Sequence, residues 1–508
     1  MNFVSYLFEK SQNLEKTFIL GDHGTFSYAE FVRNLENLTS DISRQYGSRR
    51  KFLVMADNTP FFIFSYFAII DSGNIAVLVD TKISKTDLRH ILDSCSPYGA
   101  FVQERYRKNF EGSECYLLDE TQIHETQNET CPASPPTNLN ADDVAVIIFT
   151  SGSTGIKKGV MLTHKNLITN TQSILDYLKL TEKDRISAVL PFFYCYGASL
   201  LHTHTRSGGS IVLNHQPFLG SLIEDIDNYQ CTGFAGVPST YQILITKTHF
   251  LQENFPTLRY MTQAGGQLPN KYIKMLYENF PHKQIFIMYG ATEATARLSY
   301  LPPEFLTTKL GSIGKGIPGV TLTVINDQGL PVKPSEIGEI IAQGDNIMKG
   351  YYKDPEGTGA VLKNRWLYTG DLATIDEDGF IYVVGRSKNV IKSGGYRISP
   401  YEIEKEILSF ENIKGCVVMG IPHEIMGEAV VAVILVSDAV DFHDLQREIL
   451  TYCNQRLPSY KVPKKIIILD EFPLNSSNKV DLFRLREICL TAMQYRKLPK
   501  TCDCKDDL

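Results

Sequence analysis

Short apolar runs alternate with helical stretches along much of the chain, starting near residue 51. Residues 51–56 and 75–79 predict two strands, and the apolar run 61–70 between them predicts a buried helix. Thr59 can cap this helix, and Pro60 suits its first turn. This order of strand, helix and strand is typical of a β-sheet flanked by helices.

Later segments extend this pattern. The β-branched and aromatic run 144–149 predicts a fully buried strand that leads into a Gly- and Ser-rich loop, and a helix capped by Thr163 should begin near His164. Residues 285–288 predict another strand before a loop. Between residues 311 and 384, glycines, prolines and short β runs predict a small barrel or sandwich. Mixed strand and helix return after residue 386, so we place a domain boundary between an N-terminal domain, 1–387, and a C-terminal domain, 388–508.

Composition narrows the class of protein. The chain has 508 residues, of which 43% are hydrophobic and 21% charged, and its formal net charge is −6. These values argue against disorder, collagen and coiled coil, and the mild acidity argues against a nucleic-acid-binding role. The ten cysteines form no CxxC pair, which indicates a reducing compartment. We see no signal peptide, and the longest apolar run is about half the ~20 residues of a membrane-spanning helix. We therefore expect a cytoplasmic protein without a transmembrane segment.

The segment TSGSTGIKKG, residues 150–159, carries the strongest chemical signal. It combines four hydroxyl side chains, three glycines and two lysines directly after the predicted buried strand. Glycines allow backbone amides to turn toward an anion, and hydroxyls and lysines add donors and positive charge. The segment predicts a site for nucleotide phosphates. It is not a Walker A loop, because Lys157 stands where that motif requires its second glycine.

A second glycine-rich segment, residues 314–319, satisfies the GxGxxG spacing of dinucleotide-binding loops. Such a loop follows a strand and opens a helix. Here Pro318 lies where the helix would form, and residues 321–325 predict a strand instead. We therefore expect no nicotinamide or flavin site at this segment.

Together, six segments resemble the adenylate-forming superfamily, which includes acyl-CoA synthetases, peptide-synthetase adenylation domains and firefly-type luciferases. The resemblance covers almost the whole chain in the family's order, and six motifs in register make it specific. They are 26–30 (FSYAE), 150–159 (TSGSTGIKKG), 289–293 (YGATE), 368–371 (YTGD), 385–398 (beginning GRSK) and 473–479. The resemblance implies an α/β fold. Its large, multi-lobed N-terminal domain has flanked β-sheets and a small β-barrel, and a smaller α+β C-terminal domain acts as a mobile lid.

The resemblance also implies the reaction and the residues that perform it. A carboxylate attacks the α-phosphorus of ATP, and pyrophosphate leaves. Thr292 would bind the α-phosphate, and Glu293 would bind Mg²⁺, a hard cation that suits a carboxylate. Asp371 would accept from the ribose hydroxyls, with Arg386 in support, and Tyr289 would stack beside the adenine. The remaining ATP- and AMP-binding positions are Thr150, Ser151, Gly152, Ser153, Thr154, Gly155, Lys158 and Gly290.

By the same resemblance, the catalytic residues are Thr292, Glu293 and Lys479, of which Lys479 would bridge the carboxylate and the nucleotide. The family usually has Gly before this lysine, whereas here the residue is Asn478, which also tolerates left-handed backbone angles. Lys388 occupies the hinge position about which the lid would rotate after adenylation. Gly394 and Gly395 would then line a tunnel for a pantetheine thiol.

The acyl pocket should be lined by residues from three segments: Phe193, Tyr194, Cys195, Gly197, Ala264, Gly265, Gly266 and the loop 289–295. Adenylation domains of peptide synthetases place an Asp near the first segment to pair the substrate's α-ammonium, since an unpaired buried ammonium is costly. Residues 191–206 contain no Asp or Glu. We therefore favour a fatty, aryl or hydroxy acid. His202 and His204 could border the pocket, but packing roles are more common for such residues.

Several alternatives remain open at this point. The thiol acceptor could be CoA or the phosphopantetheine arm of an acyl carrier protein, because both present pantetheine. Lys461, Lys464 and Lys465 could contact either acceptor or be a solvated surface. An amino-acid-activating stand-alone enzyme is one alternative function, and a luciferase-like oxygenase, which would share every motif, is another. The expected partners are a small carboxylic acid, ATP with Mg²⁺ and the thiol, without nucleic acid.

Overall fold

The computed structural model describes residues 2–120, 139–151, 157–214, 220–436, 442–475 and 479–494. The chain divides into two compact units. The first unit comprises residues 1–335, 340–369 and 375–382, and the second comprises residues 336–339, 370–374 and 383–508. The boundary that we place between residues 387 and 388 remains a prediction.

Strands and helices of the described residues are numbered along the chain. The strands are β1 (Thr17–Gly21), β2 (Phe26–Ser27), β3 (Lys51–Met55), β4 (Ile75–Leu78), β5 (Gly99–Val102), β6 (Tyr116–Leu118), β7 (Val144–Ser151), β8 (Lys157–Thr163), β9 (Arg185–Ser187), β10 (Ser210–Leu213), β11 (Gly233–Gly236), β12 (Tyr260–Gln263), β13 (Gln284–Tyr289), β14 (Ser299–Leu301), β15 (Lys315–Gly316), β16 (Val320–Ile325), β17 (Gly338–Gly344), β18 (Gly350–Tyr351), β19 (Leu362–Lys363), β20 (Trp366–Ile375), β21 (Ile381–Arg386), β22 (Ile391–Ser393), β23 (Tyr396–Ile398), β24 (Ile413–His423), β25 (Gly427–Val436) and β26 (Lys465–Leu469). The α-helices are α1 (Phe3–Phe8), α2 (Tyr28–Tyr46), α3 (Pro60–Asp71), α4 (Lys85–Cys95), α5 (His164–Leu178), α6 (Cys195–Ser207), α7 (Ser221–Asn228), α8 (Pro238–Lys247), α9 (Asn270–Asn279), α10 (Pro355–Val361), α11 (Pro400–Ile407), α12 (Phe442–Arg456) and α13 (Leu482–Gln494).

Two large sheets with mostly parallel pairing dominate the first unit. One has seven strands in the order β18-β8-β7-β4-β3-β5-β6, and the other has nine in the order β15-β14-β13-β12-β11-β9-β10-β1-β2. Their central strands are buried on both faces, as the continuous apolar runs predict. The carboxyl ends of parallel strands and the loops after them are the usual place for ligands in such sheets.

Local sequence signals explain the elements around these sheets. The side chain of Thr59 accepts a hydrogen bond from the amide of Phe62 and caps α3, and Pro60 occupies the first helical position. Residues 61–70 of this helix are all buried, which confirms the predicted core helix. Thr163 caps α5 in a capping box with Asn166, which confirms the predicted start at His164.

The segment after the predicted phosphate loop differs from the expectation. Residues 157–163 form β8, which pairs antiparallel with β7 before α5 begins, whereas the sequence pattern predicted loop up to residue 159. The register places Thr150 opposite Lys158 and Ser151 opposite Lys157. Pairing with the buried strand β7 explains the difference, because backbone groups beside a core strand need partners.

A further five-stranded sheet has the order β16-β17-β20-β19, with β21 paired to β20. It accounts for most of the predicted small β region, although β15 and β18 of that region join the two large sheets. The GxGxxG segment leads into β16 and not into a helix, as expected. Gly314 has φ +79°, and a Cβ there would lie 1.7 Å from the backbone oxygen of Tyr300, so the glycine serves a close backbone approach.

The second unit contains a mixed sheet in the order β23-β22-β25-β24, with β26 parallel to β25. α11 and α12 share an apolar core with this sheet that includes Ile403, Ile449 and Ile434. This architecture matches the predicted α+β C-terminal region. In the part of the chain that the structure describes, none of the helices has the length and apolarity to traverse a lipid bilayer.

Candidate active site

The YGATE motif begins at Tyr289, the last residue of β13, and so lies at the carboxyl end of that strand. A Cβ at Gly290 would lie 1.9 Å from the backbone oxygen of Ala296, so the chain can fold back here because the residue is glycine. Residues 292–294 form one turn of 3₁₀ helix. Thr292 is 4% exposed, and its hydroxyl donates to the Cys195 sulfur at 3.5 Å. This bond joins the predicted α-phosphate residue to the predicted acyl pocket.

The pocket segment 191–197 is held in place by neighbours on several elements. Gly197 lies where a Cβ would be 2.0 Å from the backbone oxygen of Pro191, so the first turn of α6 packs tightly against the preceding loop. Asn58 donates to the backbone oxygens of Ala188 and Leu190 and accepts from the amide of Phe192, at 2.8–2.9 Å. Asn58 is a positioning residue that the sequence reasoning missed, since its partners are about 130 residues away.

The other predicted pocket residues lie around these contacts. Phe193, Cys195 and Ala264 are buried, Tyr194 and Gly265 are partly buried, and Gly266 is exposed. The hydroxyl of Tyr196 contacts Thr262 Oγ1 at 2.8 Å and links the start of α6 to β12. Ala264, Gly265 and Gly266 follow β12 directly, so one strand and one helix position both segments.

Glu293 is partly buried and contacts Tyr351, a residue that the sequence reasoning did not single out. The Tyr351 hydroxyl donates to Glu293 Oε1 at 2.8 Å, and the Met348 amide donates to the Glu293 backbone oxygen. Burial, followed by the Glu293 charge, raises the pKa of Tyr351, which therefore stays a neutral donor. The bond fixes the carboxylate while leaving it oxygen atoms for a further ligand.

The side chain of Lys158 lies against the ring of Tyr351. Its ammonium is 5.0 Å from the centre of the Tyr351 ring and 2.7 Å from Asp354 Oδ2. This ion pair, with a backbone bond from Gly357, lowers the pKa of Asp354. Tyr351 thus brings together a lysine of the predicted phosphate loop and the predicted metal-binding carboxylate. Of that loop, Thr150 is partly buried on β7, whereas Gly152, Ser153, Thr154 and Gly155 lie outside the described residues.

The residues fit the Mg²⁺ that the resemblance implies. Among the described residues, no group of three or more His, Cys, Asp or Glu side chains could hold a metal ion. Mg²⁺ bound with a nucleotide usually takes one or two protein carboxylates, substrate phosphates and water. Glu293 supplies one such carboxylate, so the donor set suits a metal that arrives with ATP better than a cation bound by protein alone.

The second unit carries the predicted ribose site. Asp371 on β20 is 4% exposed, and Arg386 at the end of β21 donates through Nε to its Oδ1 at 2.7 Å. Gly370 before it has φ +73°, and its amide donates to Glu339 at 2.9 Å. The structure therefore brings Asp371 and Arg386 together, as the resemblance implies. Their binding of ribose stays a prediction.

The remaining predicted residues of the second unit lie on turns. Lys388 is exposed in a 3₁₀ turn directly after β21. Gly394 and Gly395 have φ +57° and +85° and form the two-residue turn of the β22–β23 hairpin, which needs positive φ at both positions. Lys479 is partly buried, and its backbone amide and oxygen bond the side chain and amide of Asn475. Asn478 lies outside the described residues.

His202 and His204 are satisfied packing residues. Nε2 of His202 is 3.0 Å from the Tyr66 hydroxyl, and Nε2 of His204 is 3.1 Å from the Tyr260 hydroxyl. Burial lowers the pKa of His202 to about 3 and that of His204 to about 4, so both are neutral near pH 7.

Known proteins match this chain over nearly its whole length. The family described as "AMP-binding enzyme" matches residues 8–352, and "AMP-binding enzyme C-terminal domain" matches residues 402–479. The chain belongs to the AMP-binding enzyme family, which confirms the resemblance to adenylate-forming enzymes.

Individual relatives are CoA ligases. The chain is 32% identical to 2-succinylbenzoate–CoA ligase of Bacillus pumilus, over 90% of this chain and 91% of that one. It is 29% identical to feruloyl-CoA synthase of Amycolatopsis, over 90% and 93%. Among solved structures, o-succinylbenzoate CoA synthetase of Bacillus subtilis with its acyl-adenylate intermediate has a TM-score of 0.84 and 27% identity, over 96% of this chain and 98% of that one. The large and small domains of that fold confirm the predicted fold class.

Proposed function

We propose that this protein activates a carboxylic acid with ATP to an acyl-adenylate and then transfers the acyl group to the thiol of CoA. The acid lacks an α-ammonium group. The contact between Thr292 and Cys195 is the observation that supports the proposal best, because it joins an expected phosphate donor to a residue expected to line the acyl pocket. An acid in that pocket would have its carboxylate beside the α-phosphate.

The first half-reaction needs positioning and charge neutralisation more than covalent chemistry by the protein. The acid's carboxylate oxygen attacks the α-phosphorus, and the bond to the pyrophosphate oxygen breaks. The Thr292 hydroxyl turns from Cys195 to an α-phosphate oxygen, and Lys158 exchanges Asp354 for the departing phosphates. Lys479 donates to the reacting carboxylate and the nucleotide, a task that suits a mobile ammonium with three donors.

The metal would be held at Glu293, whose orientation Tyr351 fixes. A bound Mg²⁺ neutralises phosphate charge in such reactions. Asp371 accepts from the ribose hydroxyls, and Arg386 orients that carboxylate. Tyr289 stacks beside the adenine.

The second half-reaction uses the glycine turn 394–395. Since neither residue has a side chain, the turn leaves room for a pantetheine arm once rotation at Lys388 brings it to the adenylate. The thiolate attacks the acyl carbon, and AMP leaves with the electron pair of the broken acyl–oxygen bond. CoA is favoured over a carrier protein because the relatives named above act as CoA ligases or synthetases. A cytoplasmic location, where CoA is abundant, stays part of this proposal.

The test is acid-dependent ATP–pyrophosphate exchange with a panel of fatty, aryl, hydroxy and amino acids. Exchange with an acid that lacks an α-ammonium supports the first step, and exchange with amino acids alone contradicts the acid class. CoA and a pantetheinylated carrier protein are then offered separately to the adenylate. Thioester with CoA supports the second step. Light emission or oxygen uptake without thioester would indicate the luciferase-like alternative.

A further inference from the structure

Arg297 is a buried cation beside the acyl pocket. It is 2% exposed and lies just after the YGATEAT loop. Its Nε donates to the Met288 sulfur at 3.3 Å, its Nη1 donates to the backbone oxygen of Ala296 at 3.4 Å, and its Cζ lies 4.0 Å from the centre of the Tyr196 ring. In the described parts of the chain, no Asp or Glu lies within 4 Å of this guanidinium.

Two other arginines of the first unit, Arg206 and the more exposed Arg259, have carboxylate partners. Arg206 pairs with Glu9 at 2.7 Å and Arg259 pairs with Asp184 at 2.9 Å. Arg297 is more buried than either, yet the acceptors around its five donors are all uncharged: the Met288 sulfur, the Ala296 backbone oxygen and the Tyr177 hydroxyl. Burying a charge is costly unless it is paired, so the burial of the Arg297 guanidinium without a carboxylate partner needs an explanation.

The neighbouring hydroxyls do not supply a negative charge. Burial raises the pKa of Tyr196 to about 12 and raises the pKa of Tyr177 further, although the charge of Arg297 opposes both shifts. Both phenols are therefore neutral at physiological pH. The guanidinium gains ring contact and weak hydrogen bonds from this surrounding, but no counter-charge.

Arg297 is held firmly against the site residues. Its backbone oxygen accepts from Asn170 at 3.1 Å and from Asn346 at 2.8 Å, and both amides are buried. A Cβ at Gly290 would lie 2.9 Å from the Arg297 Cα, so Arg297 packs against the YGATE motif itself. Tyr196, on which the guanidinium stacks, is the residue after Cys195, the partner of Thr292.

We propose that Arg297 pairs with a second carboxylate of the acid, so that the substrate class is dicarboxylic acids. One carboxylate reacts beside Thr292, and the other restores charge balance at the buried guanidinium. A planar guanidinium suits bidentate recognition of a carboxylate. The same positive charge explains the absence of Asp and Glu from residues 191–206, since the pocket then repels an ammonium and attracts an anion. This inference rests on the proposed function.

The experiment compares dicarboxylic acids of several lengths, aliphatic and aromatic, with their half-amides in ATP–pyrophosphate exchange. A half-amide keeps the size and the reacting carboxylate but lacks the second charge. Variants are Arg297→Met, which removes the charge at similar length, and Arg297→Lys, which keeps it. Arg206→Met is the matched control, because it removes a shielded but paired guanidinium at the opposite end of α6, about 16 Å from Cys195 by helical rise.

We expect the wild type to prefer at least one diacid over its half-amide by roughly 30-fold or more in kcat/KM, the effect of removing one partner of a buried charge pair. Arg297→Met should abolish this preference, Arg297→Lys should keep part of it, and Arg206→Met should leave it intact. Wild-type exchange with half-amides or monocarboxylic acids at equal or higher kcat/KM would overturn the assignment while leaving the proposed function standing. Exchange with no acid would overturn both. If Arg297→Met does not fold, the wild-type preference and Arg297→Lys decide.

Discussion

The residues proposed for the reaction differ between the two units in how the fold holds them. In the first unit, Thr292 is buried, and Glu293 and Lys158 both contact Tyr351. In the second unit, Lys388 is exposed in a short 3₁₀ turn, and Lys479 is partly buried and lies outside the helices and strands. Packing holds the residues of the first unit in place, whereas those of the second unit lie on turns.

This difference suits a division of work. Groups that must neutralise a developing phosphate charge gain most from rigid, shielded positions, because they need no reorganisation during the reaction. Groups that serve one step and must leave for the next gain most from turns whose torsion angles can change. Asp371 belongs to the second unit but is buried, which fits a group that must hold the nucleotide through both steps.

The largest effect that would sharpen this comparison is expected at Lys479. Lys479→Ala should slow ATP–pyrophosphate exchange by about 10²–10³-fold, since one preorganised transition-state contact is lost. Lys405→Ala, which removes an exposed lysine of α11 in the same unit, is the matched control and should leave exchange unchanged. Exchange at the wild-type rate in a folded Lys479→Ala protein would remove the residue from catalysis.

Glu293→Gln tests the rigid region. Gln retains an acceptor for the Tyr351 hydroxyl but loses the charge, so the fold should persist while kcat/KM for Mg-ATP falls roughly 10²-fold. The measurement is exchange against Mg²⁺ concentration, with the melting temperature as the folding control. An unchanged Mg²⁺ dependence would exclude Glu293 from the metal role.

Lys388→Pro tests the hinge. Pro fixes φ near −65° and removes a backbone donor, so rotation at this residue should be blocked. We expect near-normal acyl-adenylate formation and an at least roughly tenfold loss of thioester synthesis, with Lys388→Ala close to wild type. Both steps are measured on one preparation. Full thioester turnover in folded Lys388→Pro protein would place the hinge elsewhere.

The two units should also respond to acid in opposite directions. Burial lowers the pKa of His204 to about 4, so the unfolded chain binds this proton first, and the first unit should lose about 2 kcal/mol between pH 7 and pH 5 from this group. Burial raises the pKa of Glu404 to about 7, so the second unit should gain stability as pH falls from 7 toward 4.5.

Denaturation by urea, compared between pH 7 and pH 5, checks this prediction. Trp366, the single tryptophan, belongs to the first unit, and its fluorescence reports that unit while far-ultraviolet circular dichroism reports both. His204→Gln should reduce the acid loss seen by fluorescence without removing it, because burial also lowers the pKa of His202 and of His164. Glu404→Gln should change the circular dichroism transition instead. Identical pH slopes in wild type and His204→Gln would contradict a buried neutral histidine.

The sequence predicted the framework well because its signals were local. The cap at Thr59, the buried run 61–70 and the start of α5 each depend on neighbouring residues, and the structure confirms them. Asn58 and Tyr351 were missed because their partners lie on other elements: Asn58 contacts residues about 130 positions away, and Tyr351 contacts Glu293, 58 positions away. Arg297 was missed because its burial against Tyr196 of α6 is not visible in the motif next to it. Motif spacing carries no information on such contacts.

The most direct test of the two-region account is the ratio of the two half-reactions in Lys479→Ala. Adenylation is measured as pyrophosphate exchange, and thioester formation is measured separately from acyl-adenylate supplied ready-made with CoA. The account predicts that the first rate falls about 10²–10³-fold while the second stays within roughly threefold of wild type, because Lys479 serves the adenylation step. Equal losses in both rates would contradict a division of work between a fixed site and a lid that changes position.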